Sequence, residues 1–85
     1  MKLAALFSNR AVLQREISVP VWGWMSPRSQ VMVKVGPYAA RSLSGADGKF
    51  MVRLPPMPAG GPFQLEATDL ATGETVISED VMIGE

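Results

Sequence analysis

Three observations predict an all-β chain folded as an Ig-like antiparallel β-sandwich of about seven short strands. Eight glycines and seven prolines cut the 85 residues into short pieces, and from Pro20 onward no stretch free of both exceeds ten residues. That suits strands of about 5–6 residues better than helices of about 11–12. Apolar and polar residues alternate with a period of two in several of these pieces, and turn signals recur between them. Many short strands with no convincing helix indicate two packed antiparallel sheets.

The N-terminal stretch is the least decided. Residues 1–19 contain neither Gly nor Pro, and Leu3, Leu6, Phe7, Leu13 and Ile17 fit a helical face as well as an extended chain, although Ala11–Gln14 reads as a first short strand. The next strand, Ile17–Met25, carries Val19, Val21 and Met25 on one face and Trp22 and Trp24 on the other. Being apolar on both sides, it is either a central strand or one whose Trp face meets something outside the domain. In Gln30–Gly36, Val31, Val33 and Val35 alternate with Met32 and Lys34, a β-branched pattern with one core face.

Arg41–Ser44 is a fourth strand, and Ala46-Asp47-Gly48-Lys49 is a hairpin signal, because Asp tolerates and Gly readily adopts positive φ. In Lys49–Leu54, Phe50, Val52 and Leu54 alternate with Met51 and Arg53. Pro55 to Pro62 holds four prolines and two glycines, and is expected to be a loop outside any ladder. Phe63–Thr68 alternates again, Ala71-Thr72-Gly73-Glu74 forms a second turn, and Glu74–Ile83 is the last strand, with a break expected near Glu79-Asp80.

Composition limits what such a domain does. Residues 1–85 make one domain, too short for two. Eight basic and eight acidic residues cancel, so no net field attracts nucleic acid or an anionic membrane, and neither is an expected partner. The chain has no histidine and no cysteine, which removes the Ser-His-Asp triad, the Cys-His dyad and the usual zinc ligands. Only five apolar residues follow Lys2 at the start, fewer than a signal peptide needs, and no run reaches the ~20 of a membrane span. The 85 residues alone are therefore not expected to be an enzyme, and no cofactor or metal is expected.

Seven serines lie near turns or strand ends with no base beside them, and read as turn partners. Glu66, Asp69 and Glu74 flank a turn and read as a solvated face, while Glu79 and Asp80 are expected to point to opposite faces. Asp47-Gly48 lacks calcium-loop spacing and reads as a turn. The candidate contact residues are Trp22 and Trp24, which share a strand face, and Met32 and Met51, which fall opposite their strands' apolar sides. Aromatic and thioether side chains there suit packing against another domain, or, for the indoles, stacking on a sugar.

Leu6-Phe7-Ser8-Asn9-Arg10-Ala11-Val12-Leu13-Gln14-Arg15 resembles the opening of the N-terminal β-sandwich domain of sialate O-acetylesterases, commonly Leu-Phe-Ser-Asp-x-Met-Val-Leu-Gln-Arg. Val19-Pro20-Val21-Trp22-Gly23-Trp24, Ala46-Asp47-Gly48-Lys49-Phe50, the proline-rich Leu54–Phe63 segment and Asp80-Val81-Met82-Ile83-Gly84-Glu85 resemble later parts of that domain in the same order. Asn9, Ala11 and the Ser26-Pro27-Arg28-Ser29 turn depart from the pattern. The resemblance implies an extended N-terminus and a non-catalytic module. Its partner would be the catalytic domain of the same parent protein, an SGNH-type hydrolase that removes acetyl esters from sialic acid or related sugars. In that family the nucleophilic serine lies in a Gly-Gln-Ser-Asn-Met segment that would follow Glu85, so none of its catalytic residues falls on this chain. An extracytoplasmic location is likewise implied by the resemblance alone. A carbohydrate-binding module using Trp22 and Trp24, and a free-standing Ig-like adaptor domain, are the alternative readings.

Overall fold

The computed structural model describes residues 1–84. Eight strands are present: β1 (Lys2–Leu3), β2 (Val12–Leu13), β3 (Pro20–Trp24), β4 (Gln30–Val35), β5 (Tyr38–Leu43), β6 (Lys49–Arg53), β7 (Gly60–Asp69) and β8 (Thr75–Ile83). They form a three-stranded sheet in the order β1-β3-β6 and a five-stranded sheet in the order β2-β8-β7-β4-β5. The seven expected strands are all there, in an all-β sandwich. The addition is β1, whose two residues are too few to show a period.

Alternation decides which side chains fill the space between the sheets. Val21, Phe50 and Val52 enter from the three-stranded sheet, and Val31, Val33, Val35, Leu65, Ala67, Val81 and Ile83 from the five-stranded one. Leu54 and Met57 close one end from the proline-rich segment, and both are fully buried. Proline keeps that segment out of a ladder only as far as Ala59; Gly60 already pairs with Ile83, against the expectation of a loop through Pro62.

The N-terminal stretch is not an α-helix: between its two short strands and β3 it makes a 3-10 turn at Ala5–Phe7 and two further bends, with Arg10 at φ 67° and Glu16 at φ 63°. It crosses from one sheet to the other: β1 runs antiparallel to β3, whereas β2 runs parallel to β8. That parallel pair is a departure from a wholly antiparallel sandwich. It exists because a chain that switches sheets without reversing direction meets its second neighbour head to head.

Two local readings are corrected. The Ala46–Lys49 signal makes a tight turn, with Gly48 at φ 84° and the Asp47 carboxylate accepting the Lys49 N–H at 3.0 Å. However, the strands it joins belong to different sheets, so it is a crossing and not a hairpin. β8 is not broken at Glu79-Asp80 but bulged, since two steps of β7 (Phe63 to Leu65) face three of β8 (Ser78 to Val81). Asp80 sits there at φ 56°, where Asp is better tolerated than most residues. Both side chains are exposed, so the strict alternation expected of Glu79 and Asp80 does not hold at the bulge.

The bulge explains the N-terminal motif. Asn9 Oδ1 accepts the Glu79 N–H at 2.8 Å, and the Arg10 N–H donates to the Glu79 carbonyl at 2.8 Å. A carboxylate at position 9 presents the same acceptor, which accounts for Asn standing where the resembling sequences commonly carry Asp.

Candidate interface on the three-stranded sheet

The crossing segment shapes an apolar groove of about 310 Å³, lined chiefly by Leu6, Val12, Ile17, Pro20 and Trp22. Each wall has its own support. The 3-10 turn, closed by Phe7 N–H to Ala4 C=O at 2.9 Å, turns Leu6 outward while burying Phe7. The Met82 N–H to Ala11 C=O bond (3.0 Å) and the Gly84 N–H to Leu13 C=O bond (3.0 Å) hold Val12 at the rim. Ile17 is fixed from both sides, by Glu16 N–H to Met57 C=O at 2.8 Å and by the Ser18 hydroxyl to Leu54 C=O at 2.9 Å.

Trp22 forms the floor. Its ring meets Phe7 edge to face, with centroids 4.8 Å apart and planes at 90°, a favoured aromatic geometry. Directly opposite Trp22 across the ladder stands Met51, and opposite Trp24 stands Lys49. Residues opposed in register share a face, so Trp22, Trp24 and Met51 are together on the outer side of the three-stranded sheet. Leu6 (66% exposed), Val12 (55%), Ile17 (44%), Trp24 (45%) and Met51 (42%) leave this side of the molecule unusually apolar.

Met32 does not join them. It lies on the outer face of the five-stranded sheet, between Thr68 and Arg41, and is half-buried there. The two methionines carry the same sequence signal but face opposite ways, because they belong to different layers of the sandwich.

Sequence reasoning missed the groove itself, since Leu6, Val12 and Ile17 come together only through the crossing segment. It also misplaced Asp69, which is fully buried and not part of a solvated face. Its Oδ1 accepts the Ser29 hydroxyl at 2.7 Å and the Ala71 N–H at 3.0 Å, and Ser29 N–H donates to the Ser44 hydroxyl at 2.9 Å. The Ser29 hydrogen bond, chiefly, holds the Asp69 carboxyl below its ordinary 3.8; burial opposes this and the Ala71 N–H adds to it. Ser29, Ser44 and Ser78 are likewise buried and not turn hydroxyls in water. The Ser78 hydroxyl donates to the Phe7 carbonyl, pinning the crossing segment to β8. These hydroxyls and this carboxylate tie strand ends together.

The architecture superposes on part of a carbohydrate acetylesterase from Xanthomonas citri with a TM-score of 0.91 and 37% sequence identity, across 99% of this chain. The chain is thus similar to one part of a carbohydrate esterase, and it spans 19% of the length of that protein. No family model matches the chain, and neither does any curated protein.

Proposed function

We propose that the domain is a non-catalytic module of a carbohydrate esterase, and that its groove docks against the catalytic domain of the same protein. The observation that carries this is the position of the groove relative to the end of β8. Ile83 pairs with Leu13, and Gly84 bonds to the Leu13 carbonyl, so a continuing chain leaves beside the groove rim at Leu13 and Gln14. A domain tethered there meets this surface at high effective concentration, and covering Leu6, Ile17 and Trp22 supplies the apolar area that anchors such contacts. The match to one fifth of a longer esterase supports a partner within the same chain.

The motif order of the N-terminal segment further favours a sialate O-acetylesterase-like parent, acting on acetyl esters of sialic acid or related sugars. Two measurements test the proposal. Reading the parent gene past Glu85 is expected to give a Gly-Gln-Ser-Asn-Met-like nucleophile segment, and its absence removes the esterase assignment. In the parent protein, Leu6→Asp with Ile17→Asp is expected to lower both the melting temperature of the catalytic domain and its deacetylase rate. An unchanged rate and melting temperature would count decisively against docking, because both side chains are exposed in the isolated domain and their replacement leaves its core intact.

A further inference from the structure

We propose that the outer face of the three-stranded sheet binds a carboxylated sugar, centred on Trp24. Strand register sets Lys2 opposite Trp24 on one side and Lys49 opposite it on the other, so an indole lies between two ammonium groups on one face. Arg53, opposite Pro20, adds a third cation on the same face, four residues along β6 from Lys49. All three cations are exposed.

The balance of charge differs between the sheets. The chain has no net charge, yet the strands of this sheet carry three cations and no acid, whereas those of the five-stranded sheet carry both signs. Among the described residues no Lys or Arg side chain on either sheet has a carboxylate within 4.0 Å, these three included. The nearest acid in sequence, Asp47, is engaged by the backbone N–H of Lys49. Trp24 differs from Trp22 in the same sense. Trp22 is capped edge-on by Phe7, whereas Trp24 has no aromatic partner and keeps 45% of its surface in solvent. An exposed indole offers a platform for the C–H face of a pyranose, and ammonium groups on both sides reach a carboxylate at the ring's edge through charge-assisted hydrogen bonds. Three cations are too few for a nucleic-acid backbone track, which needs a run of phosphate contacts. That the ring is a sugar rests on the esterase reading above; that the ligand is an anion rests on the cations alone.

The test uses the 85-residue chain and NMR of its two indole N–H groups, assigned with Trp24→Phe. The probes are oligogalacturonate, oligoglucuronate and N-acetylneuraminate, each beside its methyl ester, together with benzoate and phosphatidylserine vesicles. A shift of the Trp24 signal with at least one sugar acid is expected, weakened at least about fivefold by its methyl ester and by the Lys2→Gln/Lys49→Gln double variant. Half-molar salt should weaken it similarly. Equal binding of acid and ester, or no effect of the double variant, overturns the charge recognition. Binding of benzoate without any sugar acid overturns the sugar class, and the esterase reading loses that support while docking through the groove is untouched. No response to any acid, or a response to vesicles alone, overturns the site.

Discussion

The two outer faces of the sandwich solve the same problem differently. On the five-stranded sheet, polar groups answer one another: Lys34 stands opposite Glu66, the Gln64 amide donates to Glu79 at 3.1 Å, and the Thr68 and Thr75 hydroxyls share a hydrogen bond at 3.0 Å. On the three-stranded sheet, Trp24, Met51, Lys2, Lys49 and Arg53 are exposed, and its three cations have no acidic counterpart in register. The five-stranded face also exposes Leu43, Ile77 and Arg41, so what distinguishes it is its polar groups that pair across the ladder, not a want of apolar or cationic side chains. The three-stranded face leaves an indole, a thioether and three cations with no acid among its strands, and both proposals made above rest on that asymmetry.

The comparison breaks first at the backbone of β3. Gly23 sits between the two tryptophans with its Cα facing the core, and an added Cβ would press on the Lys2 carbonyl and lie 2.9 Å from the Phe50 ring. Gly23→Ala is expected to cost about 3 kcal/mol and to detach β1, measured by urea denaturation. Such a loss is a large share of the roughly 4–13 kcal/mol a domain of this size holds. A cost below about 1 kcal/mol would show that the strand yields easily.

The five-stranded sheet is expected to fail next, by acid. The Asp69 carboxyl is held below its ordinary value, so its contribution is complete above about pH 4 and is lost as pH falls through the depressed value. The urea midpoint should therefore drop on acidification below about pH 4, and the Asp69→Asn variant, less stable at neutral pH, should show a flatter profile there. Parallel profiles for the two proteins would remove Asp69 from the account.

A finer comparison sets one tryptophan against the other. Trp22→Ala removes the contact with Phe7 and part of the core cover, and should cost about 2 kcal/mol. Trp24→Ala should cost about 1 kcal/mol or less, since its ring packs on less of the domain. Equal losses would mean that Trp24 is structural and its exposure incidental. The smallest effect belongs to Lys34→Gln, expected within about 0.5 kcal/mol because an exposed cross-strand pair contributes little. A larger loss would indicate that the five-stranded face depends on its charges after all.

Much of this was legible in the sequence. The turn before β8 placed that strand, and period-two alternation located β4, β6 and β7, because a strand with one buried face writes its pattern locally. The bulge at Glu79-Asp80 showed as an interruption for the same reason. What stayed hidden depended on residues far apart in the chain. Asp69 looks solvated until Ser29, forty residues earlier, is brought to it. The Ala46–Lys49 turn is chemically a hairpin turn, but which sheet each flanking strand joins is decided by the core and not by the turn. At the candidate site, the shared face of Trp22 and Trp24 was evident from their spacing, whereas Lys2 beside Trp24 was not. That neighbour comes from β1, whose two residues acquire a register only by pairing with β3.

The parallel pairing of β2 with β8 also sets an order of events in time. The bonds that hold the crossing segment, from Asn9 and Arg10 to Glu79 and from Leu13 to Gly84, span about 70 residues of chain. Contacts so distant form late, after the loop between them has closed. On a ribosome, Phe7 and Leu13 would wait uncovered until Ile83 had left the exit tunnel, so the groove would be among the last parts of the domain to take shape. Any segment synthesised after β8 would then emerge just as the surface beside it is completed.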